Sequence, residues 1–258
     1  MAVTDRDVGP SQTTSHAGSE HRSRNRIRPY FFVVMASTIV VVAFVGFAPS
    51  FYLRAVFEPD KKLSLLLQIH GAVFSAWIIL FLVQTILIVR GSRVLHRRLG
   101  WLAAAVATAM VGLVAAATIE EMRRIPPFPS PPVALALNSF DMVVFAILVS
   151  SAIIVRRQLE WHKRLLLSAT LILLGAPILR LLILAAGHIS HQVLVADFLL
   201  VDLFFLICFA WDLHARQKIH AAYVYALALV LLDQVTTVSV MAWPPWMSLA
   251  EAVQRLVS

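Results

Sequence analysis

Titratable residues inside long apolar runs are the first places to look for chemistry. An ionisable group at the centre of a hydrocarbon layer costs about 2.5–3.5 kcal/mol on insertion scales. His70, Asp141, Arg180, Asp202 and Asp233 all fall within such runs, together with the amides Asn138 and Gln234. Helical rise places His70 roughly 10 Å below one end of its run, and the others at comparable depth from the same side. Five runs therefore contribute polar groups to one layer. The pattern predicts a polar pocket within a helical bundle, opening to one side, that holds a proton, a cation or a small polar ligand. Several carboxyls against Arg180 alone need a bound cation, shared protons or water. Asp141 and Arg180 are the expected ion pair, because their runs form one hairpin. The competing reading is structural: interhelical polar contacts in membranes average only ~0.6 kcal/mol, yet they fix packing.

Two groups of histidines add further chemistry. His188 and His191 have the three-residue spacing that places imidazoles on one helical face. With His70 and Asp197 they form a metal set, and metal-bound water could attack a lipid ester or amide. His70 as an axial ligand would instead suit a haem-handling redox protein. Cofactor identity stays open between a divalent metal and haem, and loop histidines at a membrane interface are the plainer reading. The second group is His96, His162 and His220 or His214, beside Arg97, Arg98, Lys163 and Arg164. Their basic company favours binding of lipid phosphates and anchoring of helix ends.

Some chemistry is missing. The chain has no Gly-rich phosphate loop and no His-Glu-x-x-His, so an ATP-driven pump and a zincin-type protease find no support. No Gly-x-Ser-x-Gly nucleophile elbow occurs. Residues 221–243 lack Lys, which excludes a retinal Schiff base there. A single cysteine, Cys208, rules out an internal disulfide framework and reads as a packing residue.

The elements that carry these residues follow from composition. Of 258 residues 60% are hydrophobic and only 14% charged, and mean hydropathy is +0.82. So much apolar surface has no solution in water, which makes lipid the solvent. Apolar runs lie near 30–50, 63–89, 99–118, 133–155, 164–187, 193–211 and 221–243. Each is long enough to cross ~30 Å. Backbone groups in lipid must satisfy one another, so the runs are helices. The expected fold is an all-α polytopic transmembrane bundle of about seven spans: one leading helix plus three helical hairpins.

The net charge of +8 does not imply nucleic acid, because the basic residues sit beside the apolar runs. The tail and the loops at 90–98, 156–164 and 216–218 carry most of the 22 Lys and Arg. The positive-inside bias then places the N-terminus in the cytoplasm and the C-terminus outside. Residues 1–29 read as a disordered basic tail, 30–243 as the membrane domain, and 244–258 as an external interfacial tail with a short amphipathic helix.

Leu95-His96-Arg97-Arg98-Leu99 and Trp161-His162-Lys163-Arg164-Leu165 form a weak internal repeat, loosely echoed at 212–220. With Gly100 and Trp101 after the first motif, and Ile69-His70-Gly71 and Trp77 upstream, the stretch 63–220 resembles a broad group of uncharacterised bacterial multi-pass membrane proteins. That resemblance implies a helical bundle in the bacterial inner membrane, with membrane lipids as partners. It supplies no catalytic residues. Helix-end histidines beside basic residues also give a fainter likeness to haem-handling membrane proteins of oxidase assembly.

Overall fold

The computed structural model describes residues 13–60, 62–122 and 131–257. Among them are seven helical stretches long and apolar enough to cross a membrane: Tyr30–Tyr52, Leu65–Val89, Arg93–Glu120, Pro132–Ile154, Leu159–Ala186, His191–Arg216 and Ala221–Met241. The chain is a multi-pass helical membrane protein, and the described residues contain no strand. Each span falls within a few residues of its apolar run. The differences are at the ends: the third, fifth and sixth spans begin or finish with polar residues that hydropathy alone leaves in the loops.

Helix α1 (Thr13–Phe47) carries the first span, which ends in a π-helical turn at Ala48–Tyr52 and a short α2 (Arg54–Phe57). Residues 13–29, expected as a disordered tail, continue this helix. Extending an existing helix avoids the cost of a new nucleus. The remainder of the expected tail, and Lys61, Arg123 and Arg124 of the loops, lie outside the described residues.

Helices α3 (Leu65–Val89) and α4 (Arg93–Met122) form the first hairpin, and α5 (Pro131–Ile154) pairs with α6 (Leu159–Ile172) in the second. Helix α7 (Gly175–Ala186) completes the fifth span. Helices α8 (His191–Arg216) and α9 (Ala221–Met241) follow, and α10 (Pro244–Val257) closes the described chain. The third hairpin is the loosest, since α8 packs chiefly on α7 and α9 chiefly on α5 and α6.

Local signals set several boundaries. The Ser64 and Ser190 hydroxyls accept the Leu67 and Val193 N–H groups at 3.3 Å and cap α3 and α8. Gly187 ends α7 at φ +76°, a left-handed conformation open to glycine without strain. Pro177 explains the joint between α6 and α7. It lacks an N–H, so the Leu173 carbonyl loses its helical donor. The Leu174 N–H turns back on Leu171 O at 3.0 Å, three residues away instead of four. Gly46 of α1 packs so closely against Pro177 that an added Cβ would lie 2.5 Å from its carbonyl oxygen. The joint is thus built into the α1–α7 contact.

The apolar core is shared by most of the spans. Trp77 meets Phe145 edge-on at 5.2 Å and links α3 to α5, while Phe31 stacks on Trp211 at 4.7 Å and links α1 to α8. Helix α10 is fixed by its Trp246 indole, which donates to Pro132 O at 3.0 Å at the start of α5. One end of the bundle carries the basic connections near residues 90–98, 156–164 and 212–220 and is called the basic end. The opposite end, with α2 and α10, is the far end.

Candidate functional site

The expected polar layer divides into three groups. On the face where α5, α8 and α9 meet the α6–α7 joint, Asp141, Asp197 and Asp233 line one small cavity with Gln234, Ile172 and Gly175. Its volume is about 10 Å³, which is space for about one water. No basic residue lines it. Asp197 is 2% exposed, and its Oδ1 has no hydrogen-bond partner; Asp233 Oδ1 lacks one as well. Asp141 and Asp233 are close enough in the cavity wall to act on each other electrostatically. Asp197 Oδ2 lies 3.5 Å from where a Cβ on Gly175 would stand, an ordinary van der Waals distance. Asp202 stands one step away and accepts from Gln234 Nε2 at 3.0 Å.

His70 and Arg180 form the second group. The His70 ring lies 4.3 Å from that of Phe74 at a tilt of 35°, and Arg180 is close enough to act on it electrostatically. Arg180 lies 4.6 Å over the Phe47 ring and donates to Ala176 O at 3.2 Å. Its expected ion pair with Asp141 is not made. Helix α7 turns toward α1 and α8, whereas Asp141 faces α9 across the bundle. His70 is separated from the carboxyls for a similar reason, because α3 packs on α1 and α4. Asn138 belongs to neither group. Its Nδ2 donates to Thr118 Oγ1 at 2.9 Å and ties α5 to α4.

The expected metal set does not converge. Among the described residues no three His, Cys, Asp or Glu side chains group as a metal shell requires. His188 is exposed and bonds Ala186 O at 3.0 Å, His191 opens α8 on the surface, and Asp197 faces the other carboxyls.

The basic end holds a buried ion network that hydropathy did not indicate. Arg164, expected among the lipid anchors, is 3% exposed and grips Asp212, itself 1% exposed, through two bonds of 3.0 and 2.5 Å. Helix α6 starts at Leu159 and α8 runs to Arg216, so both residues sit inside the bundle rather than in loops. Glu160 accepts from Lys163, Arg164 and Arg216. Lys163 also lies over the Phe32 ring. The His220 N–H donates to Asp212 Oδ2 at 3.1 Å, and its Nδ1 caps α9 by accepting from Ala222 N–H. Burial, helped by Arg164 and Arg216, holds His220 below the ordinary histidine pKa and so favours its neutral form.

The repeat motifs are equivalent locally. His96 and His162 each donate their backbone N–H to the residue four before, at 3.0 Å, in the first turn of α4 and α6. His162 also bonds Ala152 O at 2.9 Å through its ring. Arg97 and Arg98 are exposed, as lipid-facing anchors must be.

Sequence reasoning thus missed Asp212, Glu160 and Arg216 as partners. Two signals were available. Asp197, Val201, Cys208 and Asp212 follow one helical face of α8, and Glu160 and Arg164 are spaced i,i+4 on α6. Compared with family models, curated proteins and solved structures, the chain matches none.

Proposed function

We propose that this multi-pass protein resides in the bacterial cytoplasmic membrane and takes up a proton at the cavity of Asp141, Asp197 and Asp233. The observation that carries the reading is the 2% exposed Asp197 side chain, its Oδ1 unpartnered, beside Asp141 and Asp233 at a cavity with space for one water. Burying such groups without compensation is expensive, and a structural role would have paired them. A cavity of about 10 Å³ favours a proton, water or bare ion over an organic ligand.

The positive-inside bias makes the basic end cytoplasmic and the far end external, so the site lies nearer the outer face. The likeness of the 95–101 and 161–165 motifs to bacterial multi-pass proteins supports the location. Exposed Arg97 and Arg98 suit the phosphates of inner-leaflet lipids.

Difference infrared spectroscopy of the protein in lipid, stepped in pH, tests the site. The expected result is a protonated-carboxyl band that responds to pH and weakens in Asp197→Asn and Asp233→Asn. Repeating the titration with sodium in place of choline separates cation from proton, because a bound cation displaces the band. A pH-insensitive spectrum identical in both variants would remove the proposal.

A further inference from the structure

Among the described residues, the buried polar side chains concentrate on three helices. Apart from Thr118, the buried polar residues Arg164, Ser168, Thr170, Asp197, Asp212, Asp233 and Thr237 all lie on α6, α8 and α9. The fully buried Tyr223 and Cys208 belong to the same set. On α8, Asp197, Val201, Phe205, Cys208 and Asp212 are the buried face; on α9, Tyr223, Ala226, Val230 and Asp233 lie on the matching one. The polar members collect at the two ends of this column, with apolar residues between.

Two hydroxyls extend the basic-end cluster toward the cavity. Ser168 is 0% exposed and its Oγ has no partner. It stands one turn beyond Arg164, about 6 Å along α6. The Tyr223 hydroxyl is likewise enclosed and without a partner of ordinary geometry; it neighbours the Cys208 thiol, under the Arg164 guanidinium at 5.3 Å from the ring centroid. From Ser168 to Gly175, at the cavity wall, is about 10 Å of helix. Val201, Phe205 and Val230 fill that interval, and the α6–α7 joint lies within it.

We infer that α6, α8 and α9 enclose a proton pathway, in which the carboxyl cavity and the Arg164–Asp212 cluster are the two stations and Ser168 and Tyr223 are relays, separated by a dry plug at the joint. The inference rests on the carboxyl site proposed above and extends it from binding to translocation. Unpartnered hydroxyls suit relays, because a hydroxyl both accepts and donates. A proton arriving on its oxygen is matched by release of its own proton on the other side, so nothing is consumed. The plug spans a few water diameters. Bending at the joint, where Leu173 O already lacks a helical donor, would admit the water that carries the proton across it. The charged and titratable groups of the column are Asp141 from α5, Glu160, Lys163 and Arg164 from α6, Asp197, Asp202, Asp212 and Arg216 from α8, His220 at the head of α9 and Asp233 within it, with Tyr223 and Cys208 between.

The test is proton flux into proteoliposomes carrying a trapped pH dye, driven by a potassium diffusion potential. The wild-type protein is expected to conduct above protein-free vesicles. Ser168→Ala and Tyr223→Phe are expected to slow flux by at least ~10-fold while keeping the pH-dependent carboxyl band and the elution profile of the folded protein. Flux no greater than in empty vesicles, or variants that conduct like wild type, would overturn the pathway. In either case a surviving carboxyl band leaves the binding site intact. Loss of that band in the wild-type protein would remove the site and the pathway together.

Discussion

Asp197 and Arg164 are both buried charged residues, and opposite consequences follow from how each is partnered. Asp197 has an oxygen with no donor, so its carboxylate contributes little to packing. Asp197→Asn keeps the shape and removes the charge. The melting temperature in detergent is expected to hold or rise, with the infrared carboxyl signal weakened; a destabilisation above about 2 kcal/mol would mark Asp197 as packing glue. Arg164 is fully engaged with Asp212. Arg164→Ala strands a buried carboxylate and is expected to cost about 3–5 kcal/mol, whereas Arg164→Met with Asp212→Leu recovers most of it. Equal losses in the single and double variants would contradict this. His220 gives a pH prediction of definite sign. Its folded-state pKa is lowered, so the unfolded chain binds the extra proton first. Stability is then full above the ordinary histidine value and declines as pH falls below about 6.5. Protonation also turns the Nδ1 acceptor that caps α9 into a donor. His220→Gln should flatten the decline in a pH series of melting temperatures. At this scale the sequence identified the unusual residues and missed their company. Asp141 and Asp233 were legible as costly intramembrane acids, while Asp212 and Glu160 passed as loop residues because hydropathy windows trim the polar turns of a helix.

At the scale of elements, the fifth span shows what periodicity conceals. Residues 164–187 read as one apolar run, and the run is real, but Pro177 divides it into α6 and α7. The dividing signal, a proline with glycine two residues before it, was present and outweighed by hydropathy. Its consequence is a cavity wall made by Ile172 and Gly175 on either side of the joint. The close fit of Gly46 against the Pro177 backbone makes this contact rigid on the α1 side. Gly46→Ala must displace backbone rather than a side-chain tip, and is expected to destabilise by about 1–3 kcal/mol. Gly112, on an open face of α4 with nothing within 4 Å of its virtual Cβ, is the control. There alanine removes glycine's entropic penalty and should stabilise by about 0.5–1 kcal/mol. Similar melting shifts for the two variants would show that the α1–α7 contact yields to an added methyl group.

For the whole molecule, span number was the most legible property, because lipid forces every backbone group into a helix and each helix into a long apolar run. Which helices meet was not legible. Seven spans of nearly uniform hydropathy do not encode that α9 sits against α5 and α6, and that adjacency is what brings Asp141 to Asp233 and Arg164 to Tyr223. Direction across the membrane is a separate question, answered by charge. Arginines cluster in the connections of the basic end, and moving such groups across the bilayer is opposed during insertion. The far-end connections described here include the α7–α8 turn, which carries His188 and His191 and no Lys or Arg. The basic end is therefore expected in the cytoplasm, with the carboxyl cavity opening toward the exterior. Cys208 is the only native thiol and is buried, so a single-cysteine series is practical after Cys208→Ser. Ser92→Cys, in the α3–α4 turn, should react with a membrane-impermeant maleimide only after cells are permeabilised. Gln192→Cys, at the start of α8, should react on intact cells. The reverse labelling would invert the molecule, put the carboxyl cavity nearer the cytoplasmic face, and reverse the direction in which the proposed pathway is entered.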